Sequence, residues 1–218
     1  MMYMDELTFA TLFLGFCALV APYVGEVYHQ TLLAPNLRFL FKQDSPHCHK
    51  TTYANGDPVY YFRFEISNSY ETKSVFRRVS HATNCEAVLE NMWKYDSSGS
   101  PIKIKNFTPV NLNMGPLFLG PMRFIDLNLS RSVFCDIGHI NKQDPRFYFD
   151  VLVHYNAQRE YEYLEPGERC ILQYGVYSGN SSHKEQYYNV SWSGKWDDET
   201  EKMFRELVIT PTNNPEEP

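Results

Sequence analysis

The chain has 218 residues, room for one ordinary domain with an appended segment and too little for two large ones. A formal net charge of -6 and a pI near 5.6 exclude a surface built to neutralise phosphates, so nucleic acid is not an expected partner. Sixteen Tyr and fifteen Phe suit pleated surfaces, which accept large flat side chains, and lean the composition towards strands.

The run LTFATLFLGFCALVAPYVG at residues 7–25 carries no charge, and at ~1.5 Å rise per residue it covers close to the ~30 Å hydrocarbon thickness of a bilayer. The residues ahead of it, MMYMDE, lack the Lys or Arg of a signal peptide's leading region. Residues 1–30 therefore read as a single-pass transmembrane anchor in the lipid bilayer rather than a cleaved leader. Pro22 marks an end or a kink in the helix. No basic residue precedes the span while Arg38 and Lys42 follow it, which narrowly favours a cytoplasmic body. Glycosylation triplets at Asn106, Asn128, Asn180 and Asn189 argue for the opposite side.

Residues 31–210 read as one mainly β domain. After LRFLF (37–41), the clearest strand is PVYYFRFEIS (58–67), where Tyr60, Phe62, Phe64 and Ile66 alternate with Tyr61, Arg63 and Glu65. In TNCEAVLE (83–90), Cys85, Ala87 and Leu89 alternate with Asn84, Glu86 and Glu90, and Val88 shares the outer row. FTPVNL (107–112), RSVFCDI (131–137), FYFDVLVHY (147–155), CILQYGVYS (170–178) and YYNVSWS (187–193) add further strands. The turn signals ANGDP, DSSGSP, NKQDP, EPGE and SGNSS punctuate them. Seven or eight strands without a long helix among them point to an antiparallel β-sandwich, with an immunoglobulin-like topology leading. WDDETEKMFRELVI (196–209) then predicts a short C-terminal helix, opened by Asp197, Asp198 and Glu199 and facing inward through Met203, Phe204 and Leu207. Residues 211–218 read as a disordered tail.

Several stretches resemble uncharacterised prokaryotic proteins that join an N-terminal membrane helix to an immunoglobulin-like domain, and also adhesion-type and fibronectin-like sandwiches. These are GDPVYYFRFEISN, ATNCEAVLENMWKYD, FTPVNLN, FCDIGHI, DVLVHYNAQ, LEPGERC and WSGKWDDETEKMFREL. The resemblance implies the sandwich and the anchor, and implies no activity.

For chemistry, His47-Cys48-His49 is the first candidate, since imidazole and thiolate bind Zn or Cu. On an extended chain His47 and His49 face one side as metal-ligand candidates while Cys48 turns to the other. A Cys nucleophile at Cys135 or Cys170 needs a base, for which His139 and His154 are available. The four body cysteines, Cys48, Cys85, Cys135 and Cys170, permit disulfides or serve as core filler. Arg77 and Arg78 with Lys73 offer charge to anionic headgroups. The chain contains no G-x-S-x-G, P-loop, dinucleotide fingerprint or H-E-x-x-H. The expectation is a membrane-anchored, non-catalytic interaction module with no cofactor, contacting a protein partner through an edge strand or the loops at 69–81 and 113–124. A metal-dependent protein using His47 and His49 is one alternative, and an accessory subunit packing its helix through Gly15 and Ala18 is another.

Overall fold

The structure is a computed structural model and describes residues 6–32, 34–53, 55–69, 80–115, 122–129, 131–150 and 163–217. It opens with helix α1 (Glu6–Leu32), which contains Pro22. The window Ala10–Val27 has a mean hydropathy of 1.6 and none of it is buried against the rest of the protein, so α1 is long and apolar enough to cross a membrane. Its large side chains face outward all round, with Phe16 and Tyr23 exposed and Leu19 81 % exposed. A helix apolar on every side has no polar face to give to water.

Thirteen strands follow among the described residues: β1 (Leu37–Leu40), β2 (Cys48–Thr52), β3 (Pro58–Asn68), β4 (Ala82–Tyr95), β5 (Pro101–Lys103), β6 (Val110–Asn111), β7 (Ile125–Leu127), β8 (Ser132–Asn141), β9 (Asp144–Phe149), β10 (Tyr163–Leu164), β11 (Arg169–Ser178), β12 (Ser181–Trp192) and β13 (Leu207–Thr212). Helix α2 (Thr200–Glu206) lies between the last two. They form two antiparallel sheets. The first runs β1-β3-β8-β9-β10, with β2 sharing β3's edge beside β1; the second runs β13-β12-β11-β4-β5, with β6 and β7 also pairing β4.

The inner rows meet in one core. On β3 the predicted alternation holds, with Tyr60, Phe62, Phe64 and Ile66 all buried. Phe64 packs across the gap onto Tyr188 and Tyr174 of the second sheet, ring centroids 4.4 and 4.8 Å apart. Each such burial stabilises by roughly 1.5–3 kcal/mol. Trp192 on β12 donates its Nε1 proton to the Pro145 carbonyl of β9 at 2.6 Å, tying the sheets by a polar bond as well. Asn68, fully buried, accepts from Asn36 N and donates to the Ser80 and Leu127 carbonyls, so its amide is satisfied at both ends.

Two bulges reset the rows. On β4, Gln173 pairs Asn91 while Tyr174 pairs Leu89, leaving Glu90 as the extra residue. The inward set consequently changes parity, from Cys85, Ala87 and Leu89 to Met92, and β4 continues well past Glu90. On β8 the extra residue is Ile137, between the pairs Phe62 with Gly138 and Arg63 with Asp136.

The C-terminal end departs from the sequence expectation. The helix stops at Glu206, and residues 207–212 form β13 on the free edge of β12, with Leu207 and Ile209 inward and Val208 and Thr210 outward. Alternating β-branched residues beside an open edge favour the strand, so LVI belongs to the sheet and Pro211 and Thr212 extend it. Beyond it, Lys103 of β5 pairs with Glu216 at 3.3 Å.

Candidate functional site

His47 and His49 flank Cys48, whose thiol enters the core and is pushed up to about 12 by burial. Both imidazoles lie on the outer side of the six-stranded sheet, as the extended spacing predicts, but they differ in burial. His49 is exposed, whereas His47 is buried with its ring edge-on to Phe41 and Phe134. Carboxylates stand off at 3.7 Å (Asp44 to Nδ1) and 3.6 Å (Glu65 to Nε2), and neither ring nitrogen has a hydrogen-bond partner among the described residues. Desolvation lowers the His47 pKa against the opposing pull of Glu65 and Asp44, so the ring is neutral at pH 7. Among the described residues, no three His, Cys, Asp or Glu side chains gather into a group able to hold a metal ion.

Further along the same face, His139 Nδ1 and Asp150 Oδ1 are 2.7 Å apart, and the His139 ring stacks on Tyr148 with Tyr61 tilted beside it. Asp136, only 6 % exposed, has its pKa raised to about 6 by burial first and by the Asp150 charge second. A carboxylate orienting a histidine is half of an acid-base pair, but the nucleophile that pair would serve is missing at the cysteines. Cys135 and Cys170 lie in the core, and burial raises both thiols well above their ordinary range, so no thiolate forms there. His154 lies outside the described residues, as do Val151 and Val153 of the FYFDVLVHY strand; β9 ends at Phe149.

The acidic trio is spoken for structurally. Asp198 accepts from Lys142 Nζ and Trp196 Nε1, Asp197 accepts from Glu199 N, and Glu199 heads α2. Lys73, Arg77 and Arg78, with most of the 69–81 loop and residues 116–121 of the 113–124 loop, lie outside the described residues.

The outer side of the seven-stranded sheet carries a different feature, an open groove of about 480 Å³. Its floor includes Val88 of β4, next to Gly175 of β11 in the ladder. Phe107 and Pro109 lie on one side and Tyr177 and Glu185 on the other, with Glu86 and Glu90 along β4. Glu90, the bulge residue, hydrogen-bonds the Tyr177 hydroxyl across β11. It can do so because position 175 is glycine: a Cβ there would meet Glu90 Oε1 at 2.2 Å. Asn91 donates to Gln173 and Gln173 to Glu185, while the Tyr177 ring stacks on His183, centroids 5.2 Å apart. In the sequence Glu86, Val88 and Glu90 share one outward row, but nothing local joins them to residues from the loop after β5, from β11 and from β12. The available signals were an apolar residue amid that polar row and a glycine inside a strand.

No protein-family model matches the chain, and no curated protein matches it.

Proposed function

We propose that the chain is a membrane-tethered, non-catalytic interaction module, an immunoglobulin-like sandwich held beside the bilayer by α1 and offering its outer surface to a protein partner. The observation that carries this reading is α1, whose apolar side chains find no burial in the protein and are better solvated by lipid. Two antiparallel sheets between which the chain crosses repeatedly support the sandwich type, since β3 leads to β4, β7 to β8 and β10 to β11 in the opposite sheet. Arg38 and Lys42 favour the cytoplasmic side for the body.

The test is extraction. The full chain should remain in the membrane pellet through an alkaline carbonate wash and release only in detergent, and removing residues 1–30 should move the sandwich to the supernatant. A full chain washed off by carbonate would end the anchor reading. In sealed vesicles of known orientation, protease should reach the sandwich from the cytoplasmic side.

A further inference from the structure

Building on the interaction-module reading, we propose that the groove over the seven-stranded sheet is the docking surface and that it takes an extended basic segment of a partner protein, a Lys or Arg side chain lying along it. The groove is mixed in character in the way a long cationic side chain requires. Val88, Phe107 and Pro109 offer apolar surface for an aliphatic stem, and the Tyr177 ring flanks it. Three carboxylates, Glu86, Glu90 and Glu185, line it against one cation, Arg123, for a formal balance of three negative to one positive.

That cation is already engaged, its Nε donating to Glu86 Oε2 at 3.0 Å. Glu185 uses both oxygens, towards His183, Gln173 and Tyr187. Glu86 Oε1 and Glu90 Oε2, by contrast, enter no hydrogen bond among the described residues, leaving two acceptors for a charge-assisted bond. The carboxylates act on one place: the Tyr177 hydroxyl is pushed up to about 12, first by its bond to Glu90, then by burial and by the charges of Glu90, Glu185 and Glu86. An anionic or purely apolar partner gains nothing from this lining. Asn111 and Asn91 at the margins already donate to Glu86 and Gln173, and their amide oxygens can accept from a peptide N–H, which favours a polypeptide over a free amine.

The full-length chain in phosphatidylcholine nanodiscs, whose lipid carries no net charge, is titrated into a fluorescein-labelled peptide alternating Lys and Ser at low salt. Fluorescence polarisation should report saturable binding that weakens about tenfold in the double variant Glu86→Gln, Glu90→Gln and fades with added salt. The same peptide with Gln in place of Lys should not bind. As a second variant, Gly175→Ala displaces Glu90 without touching any charge and should weaken binding severalfold. Wild-type levels of binding in both variants, binding of the Gln peptide as tight as the Lys peptide, or no binding by the unaltered chain would each overturn the assignment. Carbonate extraction of the same chain separates the two readings. A chain retained in membranes but indifferent to the Lys peptide loses only the groove, whereas a chain released by carbonate loses the tether whatever the peptide does.

Discussion

On the outer side of the six-stranded sheet, His47 and His139 sit against aromatic rings and Asp136 is buried; on the outer side of the seven-stranded sheet, Glu86, Glu90 and Glu185 border an open groove. Both rows obey the same period of two and both carry ionisable groups, so pattern alone makes them equivalent. What separates them is cover. Phe41 and Phe134 close over His47, Arg63 lies over the Phe134 ring at 4.9 Å, and the Tyr61 and Tyr148 rings pack against His139. Burial on the covered face lowers the His47 pKa and raises that of Asp136, which makes these two groups stability elements. On the open face Glu86 and Glu90 are half-buried and Glu185 is exposed, so these charges stay within reach of water and of a partner.

Two glycines give the sharpest tests, Gly138 in the core beneath the covered face and Gly175 on the open face. A Cβ at Gly138 would meet the Tyr148 carbonyl oxygen at 2.2 Å and the Phe147 ring at 2.5 Å, atoms that cannot move without shifting the sheet. Gly138→Ala should therefore lower stability by about 1–3 kcal/mol, read as a fall in the urea midpoint. An unchanged midpoint would mean that the core beneath the covered face is looser than described.

Next in size is the Asp136→Asn effect on pH dependence. Because the folded-state pKa of Asp136 is raised to about 6 from 3.8, the folded protein binds the extra proton between those values, and stability falls as pH rises through about 6. The parent should lose on the order of 2 kcal/mol from this group between pH 4 and pH 7, and the Asn variant should lack that slope. His47 works in the opposite direction. Its pKa is lowered from 6.5, so the unfolded chain protonates first and stability falls as pH drops below 6.5 towards the folded value. Lys42, Asp44, Arg63 and Glu65 are the charges around it. His47→Leu should change stability by less than about 1 kcal/mol at pH 7 and remove the acid-side loss; persistence of that loss would assign it elsewhere. The smallest effect belongs to Gly175→Ala, where the obstructing atom is the end of a flexible Glu side chain. Stability should stay within about 0.5 kcal/mol, while the affinity for the Lys peptide drops.

Much of the fold was legible residue by residue. The alternation of β3 and the apolar length of α1 are local patterns that need no partner to be recognised. β4 was readable only as far as Glu90, because the bulge there reverses which residues face inward and a fixed period of two cannot follow it. β13 was hidden for a related reason. MFRELVI supports a helical face as well as a strand, and only the open edge of β12 selects the strand for residues 207–212. β5 and β7 are three residues long and exist because β4 is long enough to pair with them, a circumstance outside their own sequences, whereas β6 falls within the predicted FTPVNL strand and keeps only two of its residues.

The candidate sites divide in the same way. That His47 and His49 face one side of their strand follows from covalent geometry, and so does the outward row of Glu86, Val88 and Glu90. That His47 is enclosed depends on Phe134, and that the glutamate row stays open depends on Phe107, Tyr177 and Glu185, side chains far along the chain from the ones they cover or frame. Hydrophobic period and chain direction are set within a few residues, and the amino-acid sequence determined them here. Solvent access, and with it protonation and availability for binding, is a sum over whichever distant segments arrive, and it was decided only when the two sheets closed on each other.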